Sequence, residues 1–268
     1  MLPGFSVTNS RAGSLSKLAA LLVTGGANKQ TDRPPAEHKP ARRWLRRALG
    51  WILLLLMLYQ LWFLAWVLAY RWVNPQQTSF MSLRLAKLRD LDPQSRLSHE
   101  WVPYSHISRN LKRGVVAAED ARFVKHAGFD WKGIESAMRR NSELGRLVAG
   151  GSTISQQLAK NLFLSPKRSL WRKAQEAVIT VMIEGLWDKK RILEVYLNVI
   201  EWGDGVYGAE AAARHYYGLS AAALGARQSA RLASMIPRPR YYDKHRNSAG
   251  LARKANIILA RMRSSKLP

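Results

Sequence analysis

The sequence predicts an all-α architecture, one helical domain carried behind a single membrane-spanning helix. Three observations lead there. Apolar residues recur at helical spacing in one segment after another beyond residue 108; no stretch after residue 71 alternates apolar and polar side chains as a half-buried strand does; and one apolar run is long enough to cross a bilayer. At 268 residues, 47% of them hydrophobic, the chain can bury one good core plus appendages, and no internal repeat is visible.

Residues 1–47 mix Gly, Ser, Pro and charge with no sustained apolar period apart from Leu18 to Val23, and read as a mostly disordered cytoplasmic tail. Residues 48–70 are apolar except at Gln60; as a helix they reach ~35 Å, against a hydrocarbon core of roughly 30 Å. Lys39, Arg42, Arg43, Arg46 and Arg47 crowd the N-terminal flank and only Arg71 follows closely, so the N-terminus stays cytoplasmic and the rest faces outward. The run exceeds a signal-peptide h-region and no A-x-A site follows, which favours an uncleaved single-pass anchor over a cleaved leader. Residues 71–101 form a membrane-proximal connector, in which Leu83, Leu85, Leu88 and Leu91 suggest a short amphipathic helix between the span and Pro93.

The domain occupies 102–268. Ser108 is a candidate N-cap for a helix that runs through Leu111, Val115 and Val116 and ends near Glu119. Thr153 and Gln156 form a T-x-x-Q capping box, and the helix it starts places Gln157, Lys160 and Asn161 on one face. Gly145 to Gly151 read as a hinge ahead of it. A long helix from Leu170 to Leu186 carries Arg172 and Glu176 four residues apart, and the next bears an apolar stripe from Ile192 to Ile200 with Glu194 and Asn198 beside it. Ala-rich helices from Ala209 to Tyr216 and Ala221 to Met235, and an amphipathic one from Leu251 to Met262, complete the chain.

The absence of cysteine excludes disulfides and thiolate metal sites. Of 43 Lys and Arg, 10 precede residue 72, as do 2 of 18 Asp and Glu, which leaves the outward part at +17. Such a surface wants an anionic partner. For a membrane-tethered domain that means headgroups and lipid phosphates; nucleic acid is excluded because no basic–aromatic stacking pattern accompanies the charge.

Two carboxylate sites bracket a polar, cationic helix. Transfer of a sugar from a diphosphate needs a base to strip a hydroxyl and positive charge to hold the departing anion; no general acid is required, because the diphosphate leaves as a stable anion. Glu119 is the candidate base, with Asp120, Phe123 and His126 shaping its surroundings. Lys160 and Arg172 are candidate diphosphate clamps. Glu176 has three readings: a partner for Arg172, a ligand for a divalent cation such as Mg2+ or Mn2+ near the phosphates, or indirect support for the base. Glu194 and Asn198 read as a buried polar pair that fixes packing. Ser14 to Lys17 matches S-x-x-K, a chance hit at a cytoplasmic position without its K-T-G partner.

Together these segments resemble the peptidoglycan glycosyltransferases, glycosyltransferase family fifty-one. The resemblance rests on E-D-x-x-F-x-x-H-x-G at Glu119 to Gly128, G-x-S-T-I-x-Q-Q-x-x-K-N ending at Asn161, R-K-x-x-E at Arg172 to Glu176 and R-I-L-E-x-Y-L-N at Arg191 to Asn198, and extends from about Val102 to Tyr242. It implies a lysozyme-like fold with a smaller membrane-proximal lobe, in a monofunctional biosynthetic enzyme of a Gram-negative inner membrane with its domain in the periplasm. The implied substrates are lipid II and the growing glycan strand, joined by a β-1,4 bond with inversion. By the same mapping Glu119 is the catalytic base, Glu176 is catalytic with Lys160 and Arg172 at the donor diphosphate, and Ser152, Thr153, Gln157 and Asn161 line the cleft. Residues Phe129 to Gly150 match the mobile region of the smaller lobe. Asp188, where the family commonly has Ser, and Gln228, where it commonly has Glu, depart from the pattern and bear on packing. Protein partners of the divisome or cell-wall machinery stay open. So do two other functions: a lytic enzyme that cleaves finished glycan, and a non-catalytic scaffold that gathers lipid-linked precursors.

Overall fold

The computed structural model describes residues 40–145 and 151–268. The expected tail, its Leu18 to Val23 stretch, the S-x-x-K match and residues 146–150 of the glycine hinge lie outside the described residues. The chain divides into two compact units, residues 1–50 and 51–268. The described part of the first is the opening of helix α1 (Pro40–Tyr70). That helix is long and apolar enough to cross a membrane over Arg43–Tyr70.

The second unit is helical, as its periodicity predicts. After α1 come α2 (Ser79–Arg89), α3 (Arg109–Glu119), α4 (Trp131–Glu143), α5 (Ile154–Phe163), α6 (Leu170–Leu186), α7 (Lys189–Val199), α8 (Ala209–Tyr217), α9 (Ala226–Met235), α10 (Pro239–Lys244) and α11 (Ala249–Arg261). Helix starts follow the capping rules. Ser108 Oγ accepts from the Asn110 N–H, Thr153 and Gln156 satisfy each other in a reciprocal capping box, and Asp188 accepts from the Arg191 N–H at 2.7 Å. Asp188 thus caps the helix it precedes, and Gln228 takes up the Gly225 N–H at 2.9 Å at the start of α9.

α7 is the central helix. Ile192, Leu193, Val195, Tyr196, Leu197 and Val199 are all buried, so it is apolar nearly all round, as a helix enclosed by others must be. α5 packs against both α6 and α7, and α3 packs against α9 and α11. The α3–α9 crossing is close: a Cβ on Gly114 would lie 3.3 Å from the Ser229 carbonyl oxygen. Glu194 and Asn198 have the packing role expected of them. Asn198 accepts from the Val102 N–H at 3.0 Å and donates to the Val102 carbonyl at 2.9 Å, while Glu194 accepts from the Tyr104 N–H.

The structure departs from the sequence expectations in three places. Strands β1 (Ser98–His99), β2 (Glu201–Gly203) and β3 (Val206–Tyr207) form a small sheet in the order β1-β3-β2, β1 parallel and β2 antiparallel to β3. Two- and three-residue strands are too short to display an alternating pattern. The stretch Ala221 to Met235 is a 3₁₀ turn at Ala221–Ala223 followed by α9 rather than one helix. α2 forms where the leucines suggest, but they make no buried stripe: Met81 is its buried residue, and Leu83 and Leu91 are exposed. The connector residues supply α2, which packs on α5, and β1 of the sheet.

Candidate functional site

α3 delivers Glu119 as its last residue, and the backbone then leaves helical geometry at Asp120 (φ −160°, ψ 75°). That turn folds the Asp120 carboxylate back into the protein, where it accepts from His126 Nε2 at 2.9 and 3.1 Å and from the Ile154 N–H at 3.1 Å. A buried carboxylate therefore ties the end of α3, the loop after it and the start of α5 into one structure. Gly128 makes the loop fit. Its φ is +89°, and a Cβ there would meet Thr180 at 2.8 Å, so the glycine of the H-x-G motif is required sterically. Its carbonyl accepts from the Thr153 hydroxyl at 2.6 Å.

With α5 set in this way, Gln157 Nε2 donates to Glu119 Oε2 at 2.8 Å. The same amide accepts from the Tyr196 hydroxyl of α7 at 2.9 Å, which fixes its orientation. Burial pushes the Glu119 carboxyl above the usual carboxylate range; the Gln157 bond and the charges of Lys160 and Lys254 pull it part of the way back, while Asp120 adds to the rise. Lys160, one turn further along α5, is lowered by burial, supported by Glu176 and opposed by Arg172 and Lys173, with Glu119 supporting it last. It stands in the field of both glutamates. Asn161 Nδ2 donates to the Gln157 carbonyl of its own helix at 2.7 Å.

Across from α5, Glu176 of α6 is buried. Its Oε2 accepts from Arg172 Nη1 at 2.6 Å and its Oε1 pairs with the Lys173 ammonium. Lys173 also comes within 3.5 Å of the exposed Ser152 hydroxyl. Arg172 Nε is buried and has no hydrogen-bond partner among the described residues, a donor in search of an acceptor. Phe123 is fully buried beneath the Lys189 ammonium, 4.6 Å from its ring centroid, and supports the loop from inside.

Two cavities share Glu119. One of about 130 Å³ is lined by Glu119, Asp120, Asp130, Arg140, Ser152 and Thr153. The other, about 430 Å³, lies between α3, α9 and α11 and is lined by Ala118, Glu119, Ser234, Lys254, Ile257 and Arg261. A carboxylate at the divide of two cavities can take a proton from a group in one while a second group approaches from the other.

Four residues of the site escape sequence reasoning. Lys173, beside Arg172, looks like any other helix cation. Tyr196 merges into an apolar stripe. Lys254 and Arg261 lie seven apart on α11, two turns on one face, and that spacing is the available signal. Both Glu176 oxygens are paired with cations, and among the described residues no group of three His, Asp or Glu gathers.

The transglycosylase family model matches residues 86–263. Among relatives, the biosynthetic peptidoglycan transglycosylase of Dechloromonas aromatica is 61% identical over 84% of this chain and 98% of its own length. The proteins of that name from Laribacter hongkongensis and Chromobacterium violaceum are 55% and 58% identical, over 84% and 79% of this chain and 99% and 93% of theirs. With the family's model spanning most of the domain and relatives matched nearly end to end, this chain belongs to the transglycosylase family.

Proposed function

We propose that this protein is a peptidoglycan glycosyltransferase that polymerises lipid II into β-1,4 glycan strands. Glu119 takes the proton of the acceptor's 4-hydroxyl. The oxygen attacks the anomeric carbon of the donor from the face opposite the diphosphate, the bond from that carbon to the diphosphate oxygen breaks, and the configuration inverts. The electron pair leaves on undecaprenyl diphosphate, whose charge Arg172, Lys173 and Lys160 stabilise. Glu176 holds Arg172 and Lys173 in place, so its part in catalysis passes through them. Asp120, Phe123, His126, Thr153 and Gln157 fix the base, and Ser152 lies at the rim by Lys173.

The observation that carries this reading is Glu119 itself: a carboxylate of raised proton affinity, aimed by Gln157, between two cavities, with a trio of cations beyond. The relatives' names are those of synthetic enzymes, which disfavours the lytic reading. The charge asymmetry around α1 supports an inner-membrane anchor with the domain in the periplasm, and protease protection in spheroplasts tests it. Polymer formation from purified lipid II by wild type, and none by Glu119→Gln, is the expected result. Binding of lipid II without turnover by wild type would favour the scaffold instead.

A further inference from the structure

α11 carries a cavity on each flank. On the side of Glu119, Lys254, Ile257 and Arg261 line the cavity of about 430 Å³. On the opposite side a groove runs between α11 and α9. It consists of two cavities, about 500 and about 450 Å³, that share Arg227, Asn256 and Leu259; Arg231 lies at one end and Arg263 at the other. Between the two flanks the exposed face of the helix is lowest at Ala260, which lines the outer groove next to Arg261 of the inner cavity. The outer groove is suited to an anion. No carboxylate lines either of its cavities. Residues 211–268 hold 12 Lys and Arg against a single acid, Asp243, and that carboxylate is already occupied by His215, Arg246 and the Asp204 N–H. Arg227 and Arg263 are exposed, while Arg231 is anchored by its bond to the Arg246 carbonyl. Cations gathered without counter-charge repel one another, and a ligand bearing carboxylates relieves the repulsion.

Lys173 reaches Ser152, which lines the smaller cavity at Glu119, so the donor diphosphate belongs on that side and the larger cavity is left to the acceptor. Lipid II, and the strand grown from it, carry a pentapeptide that ends in a carboxylate. A helix with its side chains is about 10–12 Å across, and five extended residues span about 17 Å, so a peptide rooted in the inner cavity can reach over α11. On the reading of Glu119 as the base for a lipid II acceptor, we propose that the acceptor's stem peptide crosses α11 at Ala260 and that its terminal carboxylate binds between Arg227 and Arg263, which line one cavity of the outer groove. The acceptor is then recognised by its peptide as well as by its sugar.

The test follows elongation of a radiolabelled lipid-linked tetrasaccharide in phosphatidylcholine–phosphatidylglycerol vesicles, with full lipid II as donor. The acceptor carries either complete stem peptides or peptides cut back to their first residue. For wild type, truncation is expected to raise the acceptor KM about tenfold with kcat retained. Arg227→Gln combined with Arg263→Gln should raise KM for the complete acceptor by the same factor and make truncation of no further consequence. Ala260→Trp, which keeps both arginines and raises the ridge between the grooves, should do likewise and carries the test if the arginine pair does not fold, as thermal unfolding will tell. The chain lacks cysteine, so Asn256→Cys takes a single benzophenone label, and photolysis should capture the complete acceptor and spare the truncated one. A wild type indifferent to truncation, or losses from truncation and substitution that multiply, overturns the proposal and leaves the reaction intact. An equal rise in KM for both acceptors that disappears without phosphatidylglycerol overturns it too, giving the groove to lipid headgroups. No elongation of either acceptor by wild type would instead sink the glycosyltransferase reading itself.

Discussion

Glu119 and Glu176 act on the same lysine, Lys160, from different helices, and their surroundings are opposites. Glu119 ends α3 and receives one hydrogen bond, from a neutral amide, in a setting where burial raises its proton affinity. Glu176 lies within α6, more deeply buried, with a cation on each oxygen. The same side chain becomes a proton acceptor where it is desolvated and incompletely paired, and an organiser of cations where it is fully paired. The role belongs to the environment and not to the residue type.

The largest test of that contrast is Glu119→Gln. It should cut polymerisation of lipid II by roughly 10²–10⁴-fold, the usual worth of a general base. It should also stabilise the fold at neutral pH. A carboxylate whose folded pKa is raised costs stability once pH climbs past its unfolded value, and glutamine escapes that cost. The gain in Tm over wild type should therefore vanish as pH falls below the unfolded glutamate pKa; a gain that persists there would mean that something other than ionisation is relieved.

Glu176→Gln should act differently. Losing the charge that fixes Arg172 and Lys173 should raise KM for lipid II about tenfold while the acid limb of the rate profile stays where it is. If that limb moves with Glu176 and not with Glu119, the two assignments are exchanged.

Much of this contrast is legible in the amino-acid sequence. The Thr153–Gln156 capping box fixes where α5 begins, so Gln157 and Lys160 fall on the face that meets Glu119, and the spacing of Arg172 and Glu176 places their pair on α6. What stays hidden has physical reasons. Tyr196 is fully buried, and its ring fits an apolar stripe that conceals the hydroxyl at its end. Lys254 and Arg261 reach the site from a helix far along the chain, through an α3–α9–α11 packing that no local period reveals. The β1–β3 pairing joins residues more than a hundred apart through two-residue strands. Local rules place elements and their faces; they do not say which distant face completes a pocket.

Gln157 is the hinge between the two environments, because its amide is what partly lowers the Glu119 pKa. Removing it as Gln157→Ala leaves burial unopposed by that bond, so the folded pKa rises further. The base then stays protonated to a higher pH, and the acid limb of kcat/KM should move upward relative to wild type. A downward shift would show that the amide had been favouring the protonated carboxyl.

The smallest expected effect is the most discriminating. Tyr196→Phe removes no group that touches Glu119; it removes the hydroxyl that donates to Gln157 Oε1 and so keeps the amide nitrogen turned toward the carboxylate. Without it the amide can rotate and present oxygen to Glu119, which repels the ionised form and weakens the base. The loss should be only a few-fold in rate, with the acid limb shifted in the same direction as in Gln157→Ala but less far. In the double variant the tyrosine substitution should add nothing to the loss of Gln157, since its influence on the base passes through that amide. Additive losses would instead place Tyr196 in direct service of the substrate, and the relay from α7 through α5 to the end of α3 would have to be redrawn.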